Sequence, residues 1–317
     1  MKTLLNLVDL ARSRPPAVDL PSGRVVDLPS RGRAFVWERP GPPGAPSVVL
    51  IHGLVASGGL NWFPAIPELA RQFNVLAVDL RGHGRAQRVG TAFHLSDCAD
   101  DVAAITETMG IERFIVAGYS LGGPVAQLVW HRHRERVAGM VLCATSRNFG
   151  GTTPERLFYA SLLGAVLGVQ TLNALPLPWR IRPSAADDRV RPPDDRNPLI
   201  ARWAIDELRR TDVISALSAM AVMGRFSSHE WVGGIDVPVG VVVTTRDHLV
   251  SSTRQLKLAQ AIPGATVHPV AAGHAACVIG AERFTPALLA AVRSVADRAG
   301  FRYLESVAPD GQDEPAA

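Results

Sequence analysis

The segment Gly118-Tyr119-Ser120-Leu121-Gly122 sets a serine between two glycines, after the apolar run Phe114 to Ala117 and before the helix-prone stretch Pro124 to His133. A chain that passes from strand to helix within one residue is strained there, and a side chain at either flanking position would clash, so this G-x-S-x-G has the context of a nucleophile elbow. Such a serine projects its Oγ above the sheet. It also sits at a helix N-terminus, where free N–H groups favour developing negative charge.

A serine hydroxyl is a poor nucleophile until a base takes its proton, so the motif demands a histidine and a carboxylate to orient it. Of nine histidines, His274 in Ala272-Gly273-His274-Ala275 follows the last expected strand, Ala265 to Val270. That is a loop at a strand's C-terminal end. His248, His268 and His229 compete, but His268 falls within a strand pattern and His229 within the segment read below as a cap. For the acid, Asp247 follows the apolar run Val239 to Val243, whereas the other acid position, near Thr145, offers only Ser146, Arg147 and Asn148. The chain order is then Ser, Asp, His, as α/β-hydrolase triads require. Attack on a carbonyl builds an oxyanion that needs positioned N–H donors. Leu121, the residue after the serine, supplies one. Leu54, in the loop His52-Gly53-Leu54-Val55 after the run Ser47 to Ile51, is the expected second, with His52 and Gly53 shaping the turn.

SVVLIHG, NVLAVDL, RFIVAGYS, VAGMVLCAT and VPVGVVVTT are short, continuously apolar runs, the pattern of strands buried on both faces of a parallel sheet. Segments of helical period near 61–72, 94–109, 121–134 and 252–262 alternate with them, giving a doubly wound α/β domain. Residues 23 to 37 alternate and read as two exposed antiparallel strands at a sheet edge. Between about 148 and 232 the alternation stops. Helix-prone pieces there are separated by PLPWRIRP and RPPDDRNP, which reads as an inserted helical cap with the loop Arg180 to Asn197 as a solvated hinge. The expected organisation is a core of 1–147 and 233–307, a cap of 148–232 and a disordered tail of 308–317.

Taken together, the chain resembles the α/β-hydrolase superfamily from about Arg24 to Arg298. The resemblance is carried by His52-Gly53, Asp79-Leu80-Arg81-Gly82-His83-Gly84, the elbow at Ser120, Asp247 and Gly273-His274. It implies a mostly parallel central sheet flanked by helices, loop-building roles for Arg81 and His83, and a two-step acyl transfer that needs no cofactor or metal. Haloalkane dehalogenases and epoxide hydrolases of this architecture would carry Asp where this chain has Ser120. Esterases share their triad with lactonases, thioesterases, carbon–carbon bond hydrolases, perhydrolases and acyltransferases, and a non-catalytic ligand-binding member is a further reading. The cap is strongly apolar (Phe158, Leu162, Leu163, Val166, Leu167, Leu172, Leu175, Trp179, Trp203), which suits a hydrophobic ester or contact with a membrane surface. Tyr119, Phe158, Leu162 and Trp203 are the expected substrate contacts.

Composition sets the outer bounds. With 317 residues, 47% of them hydrophobic and 20% charged, the chain can bury a large core. Its formal charge of +4 comes from scattered arginines, which argues against nucleic acid as a partner. Cys98, Cys143 and Cys277 lack metal-ligand or CxxC spacing, and the N-terminal MKTLLNLVDLARSRPP lacks a cleavage site, so a reducing cytoplasm is the expected location.

Overall fold

The computed structural model describes residues 22–89, 92–174 and 200–303. The expected tail, the hinge loop, Leu175, Trp179 and the side chain of Leu172 lie outside the described residues.

Among the described residues, eight strands form one sheet in the order β1-β2-β4-β3-β5-β6-β7-β8. The apolar runs become β3 (Ser47–Ile51), β4 (Asn74–Asp79), β5 (Phe114–Tyr119), β6 (Val137–Cys143), β7 (Val239–Thr244) and β8 (Thr266–Val270), all parallel. β3, β5, β6 and β7 lie inside the sheet between neighbouring strands, and continuous Val, Leu and Ile satisfy both of their faces. β1 (Ser22–Leu28) and β2 (Gly32–Arg39) pair antiparallel as expected. Of these two, β1 alone lies at the sheet's edge, the opposite edge being β8. β2 also pairs with β4, and Ala34 to Trp37 are buried, with Arg85 lying over the Phe35 and Trp37 rings. The helix expected over 61–72 is two short ones, α1 (Gly58–Trp62) and α2 (Ile66–Ala70). Pro64 and Pro67 lack the N–H groups a continuous helix would need there.

α3 (Leu95–Thr108), α4 (Gly122–Arg132), α8 (Ser252–Ala261) and α9 (Ala281–Arg298) cover the sheet. Among them only α9 runs beyond three or four turns. The cap enters after β6 and contributes α5 (Thr153–Ala174), α6 (Ile200–Arg209) and α7 (Val213–Arg225). An isolated antiparallel bridge, Asn148 to Ser227, joins its two roots. α5 and α7 lie so close that a Cβ at Gly224 would collide with the Tyr159 ring. Ion pairs fix the cap to the core, among them Arg254 of α8 with Glu155 of α5, at 2.6 Å, and Arg85 with Glu207 of α6.

The three cysteines are buried and unpaired, and burial pushes their thiol pKa values up, to about 12 for Cys277. Among the described residues, no helix is long and apolar enough to cross a membrane.

At the junction of β5 and α4, Gly122 touches the end of β3 so closely that a Cβ would run into the Ile51 and His52 carbonyls. Backbone at the end of a core strand cannot move aside cheaply. Gly122→Ala is therefore expected to lower stability by roughly 1–3 kcal/mol, read as a reduced midpoint in chemical denaturation.

Candidate active site

Ser120 stands at the end of β5 with φ 49°, a left-handed conformation that a serine adopts only when its surroundings compel it. Its N–H donates to Cys143 O (2.9 Å), and its carbonyl accepts from Gly123 N (2.9 Å) and Thr145 Oγ1 (2.8 Å). A Cβ at Gly118 would strike the Gly122 carbonyl, so both glycines of the motif are required by contact. The backbone that carries the hydroxyl is thereby held in place.

His274, in the loop between β8 and α9, brings Nε2 to 2.9 Å from Ser120 Oγ and Nδ1 to 2.7 Å from Asp247 Oδ2. The imidazole therefore joins a hydroxyl to a carboxylate. Asp247, after β7, is tied further: Oδ1 accepts from the Leu249 and Val250 N–H groups at 2.9 Å, and Oδ2 from Thr244 Oγ1 at 2.8 Å. Burial alone would raise its pKa, but hydrogen bonds from His274, Val250 and Thr244 outweigh burial and hold the carboxyl below the usual range. An ionised acid thus faces Nδ1. The competing histidines lie elsewhere: His229 beside Ser227, His268 on β8 beside Thr266, and His248 exposed.

The loop after β3 is shaped by His52, fully buried, whose Nε2 accepts from Leu80 N at 2.9 Å. Nδ1 must then carry the proton, and it donates to Gly53 O at 2.7 Å. Burial and the neighbouring His83 push the His52 pKa down to about 3, so it stays neutral. Because a trans peptide points its N–H opposite its C=O, pinning Gly53 O also fixes the direction of the Leu54 N–H. Leu54 lines the same cavity as Ser120, and Leu121 is buried at the mouth of α4. Arg81 and His83 serve the adjacent turn. The Arg81 guanidinium pairs with Asp101 and Asp97, and buried His83 contacts the Arg81 carbonyl.

A cavity of about 460 Å³ opens on Ser120 and His274. Its walls are mostly apolar, with Leu249 from the core, Phe149 from the root of the cap, and Phe158, Tyr159, Met220 and Met223 from α5 and α7. Of the expected substrate contacts, Phe158 and Tyr119 line it. Tyr119 turns its hydroxyl away, donating to the His274 carbonyl at 2.6 Å. Leu162 and Trp203 are not among the lining residues; Trp203 packs edge-on against Phe63 in the cap seam. Tyr159, Met220 and Met223 escaped the sequence reading, because which faces of α5 and α7 meet the core depends on how the two helices pack. Among the described residues, no group of three or more His, Cys, Asp or Glu is arranged to hold a metal.

Residues 46–281 match the profile of the alpha/beta hydrolase fold family. The protein named "Putative carbamate hydrolase RutD" of Agrobacterium fabrum is 31% identical over 226 residues, which cover 69% of this chain and 82% of that protein. A solved hydrolase from Pseudomonas aeruginosa PA01 superposes with a TM-score of 0.67 at 22% identity, covering 87% of this chain and 99% of the other. The enol-lactonase of Burkholderia xenovorans LB400 gives 0.64 at 23% identity, over 85% of this chain and 100% of its own. At such identities the two structures share the fold. Elbow, loop geometry, sheet order and sequence similarity agree: the chain belongs to the alpha/beta hydrolase fold family.

Proposed function

We propose that this protein is a serine hydrolase that cleaves a lipophilic carboxylic ester through an acyl-enzyme on Ser120. The observation that carries this reading is the unbroken line from Ser120 Oγ through His274 to Asp247, at 2.9 and 2.7 Å, at the base of an apolar cavity. Ser120 Oγ attacks the ester carbonyl while its proton passes to His274 Nε2, and Asp247 holds the imidazolium that forms. The N–H groups of Leu54 and Leu121 receive the oxyanion. His274 returns the proton to the departing alcohol. A water then gives its proton to the same nitrogen and attacks the acyl carbon; the Ser120 Oγ–acyl bond breaks, Oγ takes the proton back from Nε2, and the acid leaves. The apolar walls favour an acyl or alkyl group with little polarity.

The name of the relative from Agrobacterium points to carbamates as a second acyl class, open to the same attack. A panel of esters, lactones, thioesters and carbamates on purified protein separates the classes by kcat/KM.

A fluorophosphonate probe is expected to label the wild type and to leave Ser120→Ala unlabelled at equal concentration; a folded wild type that resists the probe overturns the reading. With p-nitrophenyl esters, kcat/KM is expected to rise from acetyl towards medium chains. A steady decline from acetyl to decanoyl would remove the lipophilic part of the proposal.

Asp247→Asn keeps the shape of the side chain but removes the charge opposite Nδ1, and kcat is expected to fall on the order of 10⁴-fold. Stability gives a second readout. The folded-state pKa of Asp247 lies below its unfolded value, so the ion contributes stability above the ordinary carboxylate range, and that stability drains away as pH falls through the folded value. Thermal midpoints measured against pH are accordingly expected to show a shallower acid limb in Asp247→Asn than in the wild type.

A further inference from the structure

We infer that Thr211, in the turn between α6 and α7, is a positioning residue for the oxyanion loop 53–57, with Glu207 of α6 holding the far end of that loop. This rests on the serine-hydrolase reading, since it assigns the loop its task.

Val55 has φ 66°, a left-handed conformation that a β-branched residue adopts only under constraint. Such strain persists where the surroundings over-determine it. The constraint visible at Val55 comes from the cap: Thr211 Oγ1, on a residue only 7% exposed, donates to Val55 O at 3.0 Å. The left-handed turn at Val55 in turn carries Ala56 N back to within 3.3 Å of Gly53 O. That carbonyl belongs to the same peptide plane as the Leu54 N–H. The hydroxyl of Thr211 is thus linked, through one residue's backbone conformation, to the direction of the proposed oxyanion donor.

The two ends of the loop have different owners. The core holds the front end, where Gly53 N donates to Asn61 Oδ1 (3.0 Å) and His52 Nδ1 to Gly53 O. At the rear, Ser57 Oγ accepts from Leu60 N at 3.1 Å, capping α1, and donates to Glu207 Oε2 at 2.8 Å. Glu207 is 1% exposed and is gripped by both terminal nitrogens of Arg85. A charged side chain so deeply buried fixes position because moving it from its partners is costly. Seating of the cap thus adds a second hold, at Val55 and Ser57, to the one that the core places on Gly53.

The test compares wild type, Thr211→Val, Thr211→Ala and Thr211→Ser, all checked for equal thermal midpoints. Valine keeps the volume and loses the donor, whereas serine keeps the donor. With a p-nitrophenyl ester of medium chain, Thr211→Val and Thr211→Ala are expected to lower kcat roughly 10- to 100-fold, short of the ~10²–10³ lost with a whole oxyanion donor. KM should change by less than about two-fold, and Thr211→Ser should retain most of the rate. Affinity for a trifluoromethyl ketone, which forms an oxyanion on Ser120, should fall with kcat, while affinity for the parent methyl ketone holds. Amide exchange of the peptide covering 53–57 should accelerate in Thr211→Val and Thr211→Ala but not in Thr211→Ser. Loop exchange and kcat that do not move in the valine variant, or a serine variant as impaired as valine, overturn the inference. Failure of the wild type to react with a fluorophosphonate would instead overturn the serine-hydrolase reading, and the exchange measurement would still decide the role of Thr211.

Discussion

The architecture turns on a single unfavourable backbone conformation, the left-handed residue at Ser120. Holding a non-glycine residue there costs on the order of 1–3 kcal/mol, and the surroundings supply what opposes relaxation. β6 contributes the Cys143 carbonyl and, just beyond it, Thr145, whose hydroxyl reaches the Ser120 carbonyl and whose side chain presses on Gly123. Ala144, between them, is itself left-handed at φ 47°. Two adjacent strand ends thus turn sharply together. Each closes space the other would need in order to relax, while β3 blocks the third direction at Gly122.

The charged contacts between cap and core differ in kind. Arg254 and Glu155 are partly open to solvent, where a pair contributes little to stability. Arg85 and Glu207 are nearly sealed, with exposures of 9% and 1%, and the desolvation of both ions offsets much of their attraction. What such a pair supplies is register. Arg85 also stacks on Trp37 and Phe35 and donates its backbone N–H to Asp79, whose carboxylate accepts from Trp37 Nε1 and Gly58 N. Arg85 thereby connects β2, the turn after β4, α1 and the cap.

Much of this was legible in the sequence, and for physical reasons. Strands buried on two faces have no room for polar residues, so the parallel sheet announces itself in runs such as VVLI and VGVVV. Ser120, Asp247 and His274 each follow such a run, where loops must emerge on one edge of a parallel sheet, and the structure brings their side chains within hydrogen-bonding distance. Other features depend on partners that a sequence does not name. β2 alternates like an edge strand, yet its burial comes from β4 and from Arg85, far along the chain. Trp203 and Leu162 are as apolar as Phe158, and only helix packing decides that Phe158 reaches the cavity. Val55 could not be flagged from residue type, since valine ordinarily avoids the conformation it holds.

Burial of the three thiols has a practical meaning. Alkylation and oxidation proceed through the thiolate, and with their pKa values pushed upward Cys98, Cys143 and Cys277 hold almost none at neutral pH. Buried in the fold, the three thiols are out of reach of charged thiol reagents, which thereby become reporters of unfolding. Cys277 alone among the three also borders the cavity at Ser120, so a molecule seated there lies against a thiol that bulk reagents do not reach.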